Sequence, residues 1–161
     1  MSLSLHHLPF HDRALNLKKF VATLSSYRGG IGKATARLLA SRGVHLALHY
    51  FSQREVAIAL VEELRATGVR VAAFQADLAD FDAVRALHAR VVEELGEPDI
   101  LYSNAAMAGT MLGINAKIED SSVEEFERCW RVNAGGAFLV SGAFLSPSRE
   151  WRADGVIARP S

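Results

Sequence analysis

The chain has 161 residues, 50% of them apolar and 22% charged, with 18 basic and 18 acidic side chains and so no formal net charge. This composition predicts one soluble globular domain with a substantial core; it excludes collagen-like, low-complexity and disordered classes and gives no footing for a nucleic-acid partner. The single cysteine, Cys129, excludes an internal disulfide and an all-cysteine metal site, as expected of a reducing compartment, and no stretch approaches the roughly 18 consecutive apolar residues of a membrane span.

Residues 1–19 carry Arg13, Lys18 and Lys19 against Asp12 and contain no apolar stretch of signal-peptide length. They read as a terminal arm on a cytoplasmic protein; arginine is too sparse for more than a weak mitochondrial leader. From residue 20 the pattern changes period repeatedly. The runs Phe20–Leu24, Val44–His49, Val69–Phe74 and Asp99–Tyr102 are short and mostly lack polar alternation, which predicts strands buried on both faces of a parallel sheet. Between them lie helical spacings, each defining one apolar face: Ile31, Ala34 and Leu38; Val56, Leu60 and Leu64; Val84, Leu87, Val91 and Leu95. Gly43, Gly68 and Gly96 each follow one of these segments, where a left-handed helix terminus favours glycine.

Residues 106–120 are expected to form a long loop of the kind that covers a ligand. A fourth helix is predicted from near Ser121, with a capping box in one of two registers, Ser121 with Glu124 or Ser122 with Glu125. Its buried face is expected from Val123, Phe126 and Trp130, and its course to about Leu145 passes Gly135-Gly136, which weaken its middle. Strands alternating with helices give an α/β domain with right-handed crossovers over residues 20–147, followed by an irregular tail at 148–161.

The stretch Ser25-Ser26-Tyr27-Arg28-Gly29-Gly30-Ile31-Gly32 joins the first strand to the first helix. In a doubly wound sheet such a turn faces the crevice where the strand order reverses, and glycine there lets backbone approach a pyrophosphate at a helix N-terminus. A Gly-rich turn can also be a mere connection; the strand–turn–helix context favours phosphate binding. A Walker A loop fails, because Tyr27 stands where a glycine is needed and Ala34 where a hydroxyl is needed. G-x-G-x-x-G fails as well, since Thr35 takes the place of its third glycine. The spacing that fits is G-x-x-x-G-x-G with Ser26 at its first position.

With that spacing the chain resembles the short-chain dehydrogenase/reductase family, and in particular its 3-oxoacyl-acyl-carrier-protein reductase-like members, from about Leu17 to Pro147. Ser25, Gly30, Ile31 and Gly32 match the family's cofactor loop, and Asp77-Leu78 the pair that flanks the adenine. Ser103-Asn104-Ala105-Ala106 matches its Asn-Asn-Ala-Gly signature after the fourth strand. Asn133, followed by Gly136 and Phe138, matches the helix asparagine of its catalytic tetrad. Ser26, Ser103 and Ala106 depart from the family pattern. The resemblance implies a Rossmann-like doubly wound parallel sheet, here of about four strands in the order 3-2-1-4, and a nicotinamide dinucleotide as ligand.

An NAD site usually places an acid about 20 residues past the glycines. Here Tyr50-Phe51-Ser52 ends the second strand and no acid occurs before Glu55, while Arg28, Ser52 and Arg54 suit a 2′-phosphate, so NADP(H) is favoured over NAD(H). The two arginines could equally be solvated surface residues. The family's proton donor is a tyrosine with a lysine four residues later. The three tyrosines here are followed at that distance by Ile31, Arg54 and Ala106, so the Ser/Tyr/Lys part of the tetrad is expected to be absent, with Asn133 its only member. The chain is thus expected to be the N-terminal portion of a reductase, binding cofactor without turnover; a non-catalytic binding or interaction module and an incomplete product are the alternatives. The fourth strand would then lie at an edge, where Ile100, Leu101 and Tyr102 invite self-association unless Val156-Ile157 of the tail covers them. His45 and His49 on one strand suit packing or hydrogen bonding rather than metal, and Cys129 reads as a small packed residue.

Overall fold

A computed structural model describes the backbone of residues 19–23 and residues 30–109 and 117–145. In chain order it contains β1 (Lys19–Thr23), α1 (Ile31–Ala40), β2 (His45–Tyr50), α2 (Arg54–Arg65), β3 (Val71–Gln75), α3 (Phe81–Leu95) and β4 (Ile100–Tyr102). A 3-10 turn (Ile118–Asp120) and α4 (Val123–Trp130) follow; a π-helical segment (Arg131–Gly136) then carries the helix into α5 (Ala137–Leu145). All strand pairs are parallel, in the order β3-β2-β1-β4. This is the doubly wound α/β arrangement with the sheet order expected, and β4 is an edge strand among the described residues.

The central strand β2 and most of β3 are buried on both sides because helices cover both faces. On one side Ala36 and Ala40 of α1 and Leu60, Val61 and Leu64 of α2 pack with Leu46, Leu48 and Val71. On the other, Val84, Leu87, Val91 and Leu95 of α3 and Leu139, Val140, Ala143 and Phe144 of α5 enclose Ala47, Ala72 and Phe74. The α3 face agrees residue for residue with its 3.6-residue spacing. Each fully buried side chain of this size contributes roughly 1.5–3 kcal/mol, so these two layers hold the sheet together. Gly43, Gly68 and Gly96 take φ of 79°, 87° and 82°, the left-handed region that ends helices cheaply only with glycine. A bidentate Arg37–Glu63 pair at 2.6 and 2.8 Å joins the exposed sides of α1 and α2.

Two expected helix faces are corrected. In α1, Ile31 and Leu38 are 69% and 57% exposed, and the buried residues are Gly32, Ala36 and Ala40. Small residues at intervals of four let this helix lie close on the sheet, where Leu46 and Leu48 fill the layer. In α2 the spacing holds for Leu60 and Leu64, but Ala57 and Val61 complete the buried face and Val56 does not.

The third correction is α4. Val123 and Phe126 are each 66% exposed and Trp130 is 57% exposed, so they form an outward face and not a core. The side turned to the body carries Glu125, Arg128, Cys129 and Val132, all partly buried, because Arg128 pairs with Asp77 across that contact. The helix cap takes the second register: the Ser122 hydroxyl accepts from the Glu125 N–H at 3.1 Å.

Gly135 and Gly136 are buried, and they permit the helix to pass close to the loop after β3. A Cβ on Gly136 would stand 2.6 Å from the Leu78 carbonyl oxygen, and one on Gly135 2.8 Å from the Phe81 ring. The expected terminal arm except Lys19, residues 110–116 of the long loop and the tail with Val156-Ile157 lie outside the described residues.

Candidate functional site

In a parallel sheet all strands point their carboxyl ends to one rim. Here the register sets Thr23 beside His49, His49 beside Phe74, Tyr50 beside Gln75 and Ala22 beside Tyr102. The chain winds from β1 to β2 and β3 in one direction and then returns to place β4 on the far side of β1. The reversal therefore lies between β1 and β4, where open α/β sheets bind ligands.

Four structures meet on this rim. The first is the start of α1. Its ladder begins with Ala34 N–H donating to the Gly30 oxygen at 3.1 Å, so the amides of Ile31, Gly32 and Lys33 precede it and have no intrahelical acceptor. Gly30 has an ordinary φ of −80°, and a Cβ built on it would have nothing within 4 Å. Gly32 is buried and Ile31 exposed. Ser25, Ser26 and Arg28 lie outside the described residues.

The loop after β2 is the second. Tyr50 is buried at the strand end, whereas Phe51, Ser52 and Arg54 are exposed. Gln75 Nε2 donates to the Phe51 oxygen at 3.1 Å and so ties this loop to the end of β3.

The third is the turn after β3, where Asp77 Oδ1 accepts from Ala79 N–H at 2.9 Å and Asp77 Oδ2 from Arg128 at 3.0 Å. Leu78 is buried beneath it. Asp80 then caps α3 by accepting from the N–H groups of Asp82 and Ala83 at 2.9 and 3.2 Å.

The fourth is the segment after β4. Tyr102 donates its phenolic hydrogen to Asn104 Oδ1 at 3.3 Å; Ala105 packs on the core and Ala106 is exposed. Asn133, on the π-helical segment, holds the following residue twice. Its Nδ2 donates to the Met107 oxygen and its Oδ1 accepts from the Met107 N–H, both at 2.8 Å. An amide side chain can mimic a strand neighbour in this way because it presents one donor and one acceptor side by side. The asparagine thus clamps the signature segment to the helix behind it.

The histidines have structural surroundings. His45 Nδ1 accepts from the Arg70 N–H at 3.1 Å. His49 is buried with Nε2 at 3.0 Å from the Ala76 oxygen, so the neutral ring keeps its hydrogen on Nε2. Burial pushes its imidazole below the usual histidine range, against the opposing effects of the Ala76 bond and the Asp77 charge. His88 is pushed the same way by burial, against the charge of Glu97, and meets Phe144 edge-on at 4.7 Å between ring centres. No group of His, Cys, Asp or Glu among the described residues could hold a metal ion, and no described helix is long and apolar enough to cross a membrane.

Residues in all four structures on the rim are legible in the sequence, whereas Phe51, Met107 and Arg128 are not. Met107 acts through its backbone, which no side-chain motif reports. Arg128 meets Asp77 across 51 residues of chain, and no local pattern signals such a pairing.

Comparison with known proteins agrees with this arrangement. The family model for short chain dehydrogenase matches residues 21–158. Versicolorin reductase 1 of Aspergillus parasiticus is 36% identical over 130 residues, covering 81% of this chain and 48% of that protein. A 3-oxoacyl-[acyl-carrier-protein] reductase of Staphylococcus aureus is 38% identical over 91 residues, covering 56% of this chain and 37% of that protein. A short chain dehydrogenase from Burkholderia cenocepacia, solved in complex with NADP, superposes with a TM-score of 0.70 at 32% identity, covering 80% of this chain and 49% of that one. Similar structures were solved with NADPH bound, and one with NAD. The chain spans less than half the length of these curated relatives.

Proposed function

The chain belongs to the short chain dehydrogenase family, and from that premise we propose that its rim binds a nicotinamide dinucleotide, NADP(H) in preference to NAD(H), within an oxidoreductase acting on carbonyl or hydroxyl groups. The observation that carries this reading is the start of α1: amides ahead of the helical ladder, at the reversal of strand order, behind a glycine with open space before it. Those amides and the positive end of the helix dipole suit a diphosphate. Ser25, Ser26, Gly30, Ile31 and Gly32 take that part, and Arg28 serves the 2′-phosphate.

Asp77 and Leu78 border the adenine, and Asn104, Ala105 and Ala106 line the course toward the nicotinamide. Tyr50, Ser52 and Arg54 mark the adenosine ribose, where the lack of a carboxylate before Glu55 admits a 2′-phosphate. A bound nicotinamide dinucleotide would supply the hydride. Asn133 acts as a positioning residue, holding Met107 and with it the segment along the cofactor. No tyrosine in these 161 residues is followed four residues later by lysine, so the phenol–ammonium couple that protonates a developing alkoxide is not among them. The 161-residue chain by itself binds cofactor without turnover.

Titration of the purified chain with NADPH and NADH, read by fluorescence and by thermal shift, tests this. Binding is expected, tighter for NADPH, with no cofactor consumption in the presence of carbonyl substrates. Gly30→Glu, which the open surroundings and ordinary φ accommodate, sets a carboxylate before the helix amides and is expected to weaken binding about tenfold, the equivalent of ~1.4 kcal/mol. Unchanged affinity in this variant, or turnover by the chain alone, would overturn the reading.

A second reading, an interaction module, is favoured by the outward apolar face of Val123, Phe126 and Trp130 on α4 and by the β4 edge. Concentration-dependent sedimentation would support it, and a monodisperse monomer would count against it.

A further inference from the structure

We propose that Arg128 is a specificity-determining residue of the cofactor site, holding a positive charge at the adenosine end so that a 2′-phosphate is accepted there. This deepens the dinucleotide reading above and rests on it.

Arg128 comes from α4, far in sequence from every rim loop, yet its guanidinium is held by two of them. NH2 donates to Asp77 Oδ2 at 3.0 Å, and Cζ lies 5.6 Å from the centre of the Phe51 ring. Both partners are themselves fixed, Asp77 by the Ala79 N–H and the Phe51 backbone by Gln75. A planar cation lying over one ring and bonded at its edge to one carboxylate has little freedom left, and it retains N–H donors beyond the one given to Asp77. Phe51 immediately precedes Ser52, and Arg54 opens α2. These are the positions assigned above to the 2′-phosphate.

The charge around Arg128 is mostly negative. A shallow cleft of about 360 Å³ beside it is lined by Asp77, Asp80, Glu124, Glu127, Arg128 and Arg131. With Arg128 neutral, four carboxylates would face one arginine. The lining is net acidic even with Arg128 charged, so loss of that charge adds to the repulsion of a phosphate carrying close to two negative charges, whereas an unphosphorylated ribose is nearly indifferent. Arg128 pairs with the carboxylate that stands at the rim and offers the surplus donors to the anion.

The test compares wild type with Arg128→Met, which keeps the stem against Phe51, and with Arg128→Lys, which keeps the charge without the planar fork. Kd is measured for NADPH and for NADH by calorimetry, with melting temperature recorded for each variant. The methionine variant is expected to weaken NADPH about tenfold and NADH less than twofold, with lysine between it and wild type. Equal weakening of both cofactors, or of neither, overturns the proposal while leaving dinucleotide binding intact. If the methionine variant does not fold, the lysine variant decides by the same ratio. Wild type that binds neither cofactor refutes the underlying reading and this inference with it.

Discussion

At Gly136 a single added carbon would stand 2.6 Å from the Leu78 backbone oxygen, and at Gly135 a similar carbon would stand 2.8 Å from the far end of the Phe81 ring. The two clashes differ in kind. The ring can rotate away, whereas the carbonyl belongs to the turn that carries Asp77. Alanine gains up to ~1 kcal/mol over glycine in a helix interior, but overpacking against backbone costs about 1–3 kcal/mol. Gly136→Ala is therefore expected to lower the urea midpoint clearly and Gly135→Ala much less; equal effects would show that the Leu78 contact does not set the path of the helix. The glycine pair is plain in the sequence, yet sequence spacing reads it as a weakness in a helix. Only the neighbouring turn shows that it is a clearance.

At the scale of elements, the two best-capped helices begin with a polar side chain whose oxygen accepts from N–H groups of the first turn. Ser122 was legible because Glu125 follows it at capping-box spacing. Asp80 has no such companion, although it accepts two N–H bonds at the start of α3. Asp80→Ala is expected to cost about 1–2 kcal/mol, since it removes both a cap and a negative charge at the positive helix end. Asp80→Asn should restore most of the loss, and chemical denaturation of the pair measures it. Because α3 carries the four residues that face the sheet, its start also governs the turn holding Asp77. For α4 the apolar spacing was sound as a period and misleading as a direction. The ion pair of Arg128 with Asp77 turns the polar side inward.

Across the whole molecule, the buried His49 and half-buried His88 imidazoles couple folding to pH. Both His49 and His88 are harder to protonate folded than unfolded, because burial disfavours the charged ring. As pH falls the unfolded chain takes up these protons first, starting near its usual value of about 6.5. Their contribution is thus complete above that value and is lost as pH drops below it toward the lower folded values. The urea midpoint is expected to be lower at pH 5.5 than at pH 7.5, and His88→Gln should flatten the difference in part. A midpoint independent of pH across this range would contradict the burial of His49 and the partial burial of His88.

The sequence by itself determined the α/β class, the four strands, the face of α3, the glycine helix ends and, through motif resemblance, the family and sheet order. Each of these is a local period, a local backbone requirement or a spacing within one segment, and such features survive without knowledge of neighbours. The tertiary structure decided which sides of α1 and α4 face inward, that Asn133 grips Met107, and that Arg128 joins the ends of β2 and β3. These depend on surfaces brought together from distant segments, and a helix's own apolar stripe does not say which neighbour will cover it.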